Sequence, residues 1–123
     1  YEDALNEVVG TAEVDLSVSG ADGARLVRNR ETAIGNFCAD AYRTVMGADV
    51  GLVNGGGIRA DIGSGEVTYG DVINVHPYGN MACLVEATGQ QILDALELGS
   101  MNTMFEASDG TRARWNLPTT ALS

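Results

Sequence analysis

The chain has 123 residues, with 17 acidic side chains, 7 basic ones and a single histidine, for a formal charge of −10. That length sets one compact domain as the expectation, and 45% apolar with 20% charged residues argues for a packed core and against disorder. Every basic residue is arginine; so acidic a chain excludes a general grip on nucleic-acid backbones, which needs a basic face, and its apolar runs are too short to span a bilayer.

Val8 to Leu16 alternates apolar and polar side chains, the pattern of a half-buried strand. The Ser/Gly/Asp-rich stretch 17–23 reads as a surface loop, and Arg25, Arg28 and Arg30 follow it closely. The spacing predicts a helix from Thr32 to Met46, with Ile34, Phe37, Cys38, Ala41, Tyr42 and Val45 on one apolar stripe and Gly47 placed to end it in the left-handed region. Asp49 to Asn54 reads as a short buried strand running into Gly55-Gly56-Gly57, and 61–65 as a turn. Thr68 and Asp71 resemble a cap pair for a short helix over Tyr69–Asn74. His76-Pro77-Tyr78-Gly79-Asn80 is expected to be irregular, because proline removes a donor and restricts the residue before it. Met81 to Ala87 reads as a strand with Met81, Cys83 and Val85 on one face. Thr88 and Gln91 then form a capping box for a helix over Gly89–Leu98, with Ile92, Leu93 and Leu96 inward and Gly99 as its stop. Residues 101–123 have no clean period and read as an irregular tail beyond a domain of residues 1–100. The order of elements implies a mixed α/β domain of α+β type.

Cys38 and Cys83 both lie within apolar patterns and are expected to be buried free thiols, a single bridge between them being the other reading. The first residues are acidic and lack the form of a signal peptide, so the chain is expected to begin at a mature end or an engineered boundary.

A resident catalytic metal needs several converging His, Asp or Asn ligands, and one histidine with no Asp/His pair at ligand spacing does not supply them. Nucleophilic catalysis has only His76 as an imidazole base, and no nucleophile signature accompanies it. No catalytic and no metal-ligating residue is therefore assigned. Gly55-Gly56-Gly57-Ile58-Arg59-Ala60 formally fits a dinucleotide-binding G-x-G-x-x-A, but Asp61-Ile62-Gly63-Ser64-Gly65 cannot continue the helix that motif requires. What the segment does offer is three residues without Cβ, open to close ligand approach, with an amide at Asn54 and a guanidinium at Arg59 on its two ends. Arginine suits bidentate phosphate or carboxylate recognition.

Three blocks carry a family resemblance: Arg28-Asn29-Arg30-Glu31-Thr32 with Gly35-Asn36-Phe37 and Asp40-Ala41, then Asn54-Gly55-Gly56-Gly57-Ile58-Arg59, then Pro77-Tyr78-Gly79-Asn80. In this order they resemble the C-terminal, substrate-binding domain of the 5′-nucleotidase family, which includes UDP-sugar hydrolases and 2′,3′-cyclic phosphodiesterases, over about residues 5–99. The resemblance implies a partial domain of that fold, acting in nucleotide breakdown outside the cytoplasm: secreted, periplasmic or attached to the cell wall. It implies that a separate N-terminal metallophosphoesterase domain holds two divalent metals, and that this chain holds none and is inactive alone. It implies a nucleotide or nucleoside ligand, with Arg28 and Arg59 on phosphate or ribose, Asn54 on the base, Gly56 and Gly57 in the backbone cradle, and Tyr78 as one stacking aromatic. Glu31 and Asn36 resemble supports of the helix start and the arginine loop, while Arg25, Arg30 and Arg43 read as solvated surface charges. The family's late Gly-Gly-Asp-Gly-Phe-like segment, with the second stacking aromatic, has no counterpart; Phe105 and Trp115 sit in no matching motif. The chain thus reads as a fragment that exposes apolar surface and is prone to form homo-oligomers. The rival reading is a non-catalytic interaction or structural module that keeps the fold without the ligand; a standalone small enzyme has only His76 in its favour.

Overall fold

The computed structural model describes residues 2–100 and, as backbone only, 105–106, 112–113 and 120–122. The elements in chain order are α1 (Glu2–Leu5), β1 (Val8–Ala12), α2 (Ala33–Met46), β2 (Leu52–Asn54), a 3-10 turn at Gly55–Gly57, β3 (Gly65–Thr68), α3 (Tyr69–Val75), α4 (Gly89–Ser100), β4 (Phe105–Glu106), β5 (Arg112–Ala113) and β6 (Thr120–Leu122). The architecture is mixed α/β, and its strands form antiparallel pairs: β1 with β3, β2 with β6 and β4 with β5. The expected irregular tail thus contains three short strands, while its remaining residues, Trp115 among them, lie outside the described ones. No helix among the described residues is long and apolar enough to cross a membrane.

The β1–β3 ribbon is built by register and by two acid latches. Val8 faces Thr68 and Ala12 faces Gly65, with a bulge between Val8 and Gly10, and an isolated bridge from Leu16 to Ile62 prolongs the pairing. The Asp61 carboxylate accepts from Val18 N at 2.6 Å and from Ser17 Oγ at 3.0 Å, and Asp15 accepts from Ser64 N at 2.7 Å. Residues 61–65 were expected only as a turn; their β3 neighbour is a strand because β1 supplies a ladder that the local sequence does not announce.

Helix α2 has the ends its sequence predicts. Thr32 is extended and its hydroxyl accepts from Gly35 N at 3.1 Å, while Gly47 sits at φ 64° and closes the helix with bonds to the Arg43 and Thr44 carbonyls. Its buried face differs from the predicted stripe. Ile34, Gly35, Cys38 and Ala39 are buried, whereas Phe37 is 54% and Val45 83% exposed and Ala41 faces solvent. Small residues explain the rotation: a Cβ on Gly51 would stand 2.2 Å from the Ala39 carbonyl oxygen, so helix and strand approach until backbones touch. The core is Val18, Val27, Ile34, Cys38, Ile58, Ile62, Val67 and Val75.

Helix α3 opens with a full capping box, Thr68 and Asp71 each bonding the other's backbone. Thr88 and Gln91 exchange equivalent bonds at the start of α4, which runs through Gly99 to Ser100 rather than stopping there. No α4 residue is buried; Ile92 and Leu96 are half-buried and Leu93 is exposed, contrary to the inward placing of all three. The predicted strand over Met81–Ala87 has no regular secondary structure and no ladder partner among the described residues, since alternation supplies a face and only a neighbouring backbone completes a strand. Cys83 lies there and is exposed, correcting its expected burial; Cys38 is a buried free thiol whose pKa burial pushes up to about 11.

Candidate functional site

The glycine turn holds the site together, and each glycine has its own steric reason. A Cβ on Gly55 would stand 2.1 Å from the Val27 carbonyl oxygen, so the turn rests directly on the backbone that leads into Arg28. A Cβ on Gly56 would meet Arg28 Cζ, Nη1 and Nη2 all at 2.9 Å. Three equal distances mean that the guanidinium lies face-on across this residue. At Gly57 the nearest atom would be Asn54 Oδ1 at 3.0 Å. Ile58 after the turn is extended, so no helix starts there and the dinucleotide-binding geometry is absent from this segment.

Core residues carry the site residues on their shoulders. Buried Val27 precedes exposed Arg28, buried Ile58 precedes exposed Arg59, and buried Val75 leads into His76, Pro77 and Tyr78. Arg59 N donates to the Val75 carbonyl at 2.8 Å, joining the glycine turn to the end of α3, and Arg59 Nη1 reaches the Gly56 carbonyl at 3.4 Å. Asn36 Nδ2 donates to Glu31 Oε1 at 2.9 Å across the start of α2. Tyr78 is 53% exposed.

Arg25 departs from expectation. It is half-buried, its Nη2 donates to the Ile58 carbonyl, and its Nε is buried without a partner. Burial lowers its pKa first, followed by the charges of Arg59 and Arg28, with the Tyr78 hydroxyl acting in the opposite sense. It therefore shares one neighbourhood with Arg59, Arg28 and Tyr78. The only sequence signal for it was its place three residues before Arg28. Arg30 is exposed, and Arg43 pairs with Asp40 on the surface of α2.

Beside this cluster lies an open groove of about 730 Å³, walled by Tyr42, Val53, Asn54, Gly57, His76 and Asn80 among others, with the 81–85 segment and α4 also lining it. Asn54 and Gly57 belong to the groove wall, whereas Arg28, Arg59 and Tyr78 do not; groove and arginine cluster meet at the glycine turn. His76 packs edge-on against Tyr42, with ring centroids 5.6 Å apart. Burial lowers its pKa, opposed by a hydrogen bond with the Gly57 backbone. Among the described residues no three His, Cys, Asp or Glu side chains stand together as a metal site would require. The donors among the described residues thus do not fit a resident metal.

The family model for the 5′-nucleotidase C-terminal domain matches residues 8–120. The trifunctional nucleotide phosphoesterase protein YfkN of Bacillus subtilis is 45% identical over 106 residues, 82% of this chain and 7% of that protein. The cell wall protein Lmo0130 of Listeria monocytogenes is 36% identical over 107 residues, 77% of this chain and 14% of that protein. The crystal structure of a 5′-nucleotidase precursor from Thermus thermophilus superposes with a TM-score of 0.65 at 26% identity, covering 98% of this chain and 29% of that one. The chain thus spans less than a third of the length of each of these proteins.

Proposed function

This chain belongs to the 5′-nucleotidase C-terminal domain family, and from that premise we propose that it is a nucleotide-binding part that positions base and phosphate for ester hydrolysis by a separate metallophosphoesterase domain. The observation carrying this reading is the gathering of Arg25, Arg28 and Arg59 around one glycine turn beside Tyr78, in a chain with a net charge of −10. Three like charges repel where they stand, and an anion among them relieves that repulsion. Arg28 and Arg59 take phosphate or ribose oxygens, Gly56 and Gly57 let the ligand approach the backbone, Asn54 hydrogen-bonds the base, and Tyr78 stacks on it. An arginine–phosphate contact contributes about 1.5–3 kcal/mol and one stacked base about 1–3 kcal/mol. The chain's part in hydrolysis is then orientation and remote binding energy, and the chain alone turns over no phosphate ester with added Mn²⁺ or Co²⁺. Lmo0130 is named as a cell wall protein, which supports a location outside the cytoplasm for this chain also.

Calorimetry with AMP and adenosine tests the reading. Arg59→Ala is expected to weaken AMP about tenfold or more while leaving adenosine nearly unchanged, and Tyr78→Ala to weaken both. Equal affinity of wild type and Arg59→Ala for AMP would remove the phosphate assignment. A second reading, an interaction module without ligand, is favoured by the exposed apolar residues Met81, Leu84 and Val85; it is selected if wild type binds neither compound at millimolar concentration.

A further inference from the structure

His76 is the one histidine of the chain, and it stands where three parts of the candidate site meet. Its ring touches α2 through Tyr42, its hydrogen bond joins it to the Gly57 backbone, and its own chain continues through Pro77 into Tyr78. Its Nε2 is buried with no hydrogen-bond partner. A buried polar atom left unsatisfied costs free energy, so it persists where something else fixes the side chain. Here the edge-on aromatic contact and the Gly57 bond fix it.

We infer that His76 is a positioning residue of the ligand site: its imidazole holds the Gly55–Gly57 turn, and Asn54 with it, in place against the Pro77–Tyr78 loop. The inference rests on the nucleotide-binding reading for its consequence, not for its geometry. Asn54 and Gly57 share the groove wall with His76, so a shift of the ring reaches the base-reading amide through one hydrogen bond. Pro77 has a fixed φ, which leaves little slack between the imidazole and the Tyr78 ring two residues on.

Protonation acts through the same contacts. Tyr42 packs on the ring with Cys38 close to it on α2, the Arg43–Asp40 pair follows on the same helix, and the Arg59 backbone N is bonded to Val75 just before the ring. An imidazolium would therefore form in a half-buried place where burial disfavours the charged form. Burial lowers its pKa from the ordinary 6.5, so the ring is neutral at pH 7 and takes a proton only as pH falls below 6.5. The unfolded chain binds that proton more readily, so the folded arrangement weakens in the acid direction.

AMP binding between pH 7.5 and 5.5 tests this with wild type, His76→Asn, whose amide keeps a donor but cannot titrate, and His76→Phe, which keeps the ring against Tyr42 but not the bond. The phosphate's own ionisation, with a pKa of about 6, is common to all three and cancels in their ratios. Wild type is expected to lose affinity at least about fivefold more than His76→Asn over this range, the lower end of ordinary site-to-site coupling. His76→Phe is expected to bind at least about fivefold more weakly than wild type at pH 7.5, with the same flat ratio to His76→Asn across the range. Wild-type affinity in His76→Phe, or weakened affinity with an unchanged wild-type pH profile, would overturn the inference. A wild type that binds no AMP overturns the nucleotide reading instead. His76 is then judged from the amide resonances of Asn54 and Gly57: shifts with a common midpoint below pH 6.5, absent in His76→Asn, support the positioning role, and resonances unmoved by pH refute it.

Discussion

Adjacent glycines in the Gly55–Gly57 turn do different jobs, and one added methyl group separates them. At Gly56 it would meet only the far end of the flexible Arg28 side chain, which can swing away. At Gly55 it would meet the Val27 backbone, which cannot move without disturbing the buried Val27 side chain beneath it. Gly56→Ala should therefore leave thermal stability within about 1 kcal/mol of wild type and weaken AMP about tenfold, because the displaced guanidinium loses the phosphate contact proposed for it. Gly55→Ala should destabilise by about 2–3 kcal/mol, the cost of overpacking a tight site. Thermal melts beside AMP titrations read both, and a Gly56→Ala variant with unchanged AMP affinity would remove Arg28 from the ligand's surroundings. The glycine turn was legible because it is written in three adjacent residues, with Asn54 and Arg59 at its ends. Arg25 was not, because its environment is decided by a carbonyl 33 residues away at Ile58.

Helix ends were the most legible elements, since a cap is written in adjacent residues: Thr32 and Gly47 bound α2, Thr68 and Asp71 open α3, and Thr88 with Gln91 opens α4. Pairing was the least legible. Nothing near Gly65 announces that Ala12 lies opposite it, and nothing within Met81–Ala87 reports that no described strand lies beside it. The two longer helices consequently have similar caps and different support. Four α2 residues are buried against the core, whereas α4 buries none and, at 12 residues, is at the length where an isolated helix is marginal. Thr32→Ala should cost about 1 kcal/mol of global stability. Thr88→Ala should leave the global transition in place and accelerate amide exchange within α4 alone, because that helix opens without opening the core. Equal protection of α2 and α4 amides in the wild type would refute this division.

On the scale of the whole molecule, two opposed forces decide whether copies associate. The 81–85 segment presents Met81, Leu84 and Val85 at 89%, 64% and 77% exposure, on a backbone without a ladder among the described residues, and α4 adds exposed Leu93 and Leu98. Exposed apolar side chains on a segment without a ladder partner among the described residues favour burial and can also take up a partner strand. Against this stands a net charge of −10, which repels a second copy. Salt distinguishes the two, since it screens repulsion over a Debye length of about 8 Å at physiological strength and about 3 Å at 1 M while leaving apolar attraction in force. Sedimentation is therefore expected to show association that grows with protein concentration and grows further as sodium chloride is raised. An association held by the arginine cluster against acidic surfaces would instead weaken with salt. Leu84→Lys with Val85→Lys should abolish it and reduce binding of an apolar dye, although each lysine moves the net charge toward zero and lowers the repulsion. That makes the test asymmetric in a useful way: the substitution removes the attraction while easing the opposing force, so loss of association can be attributed only to the apolar segment. A strictly monomeric wild type at high protein and high salt would show that this surface does not drive self-association.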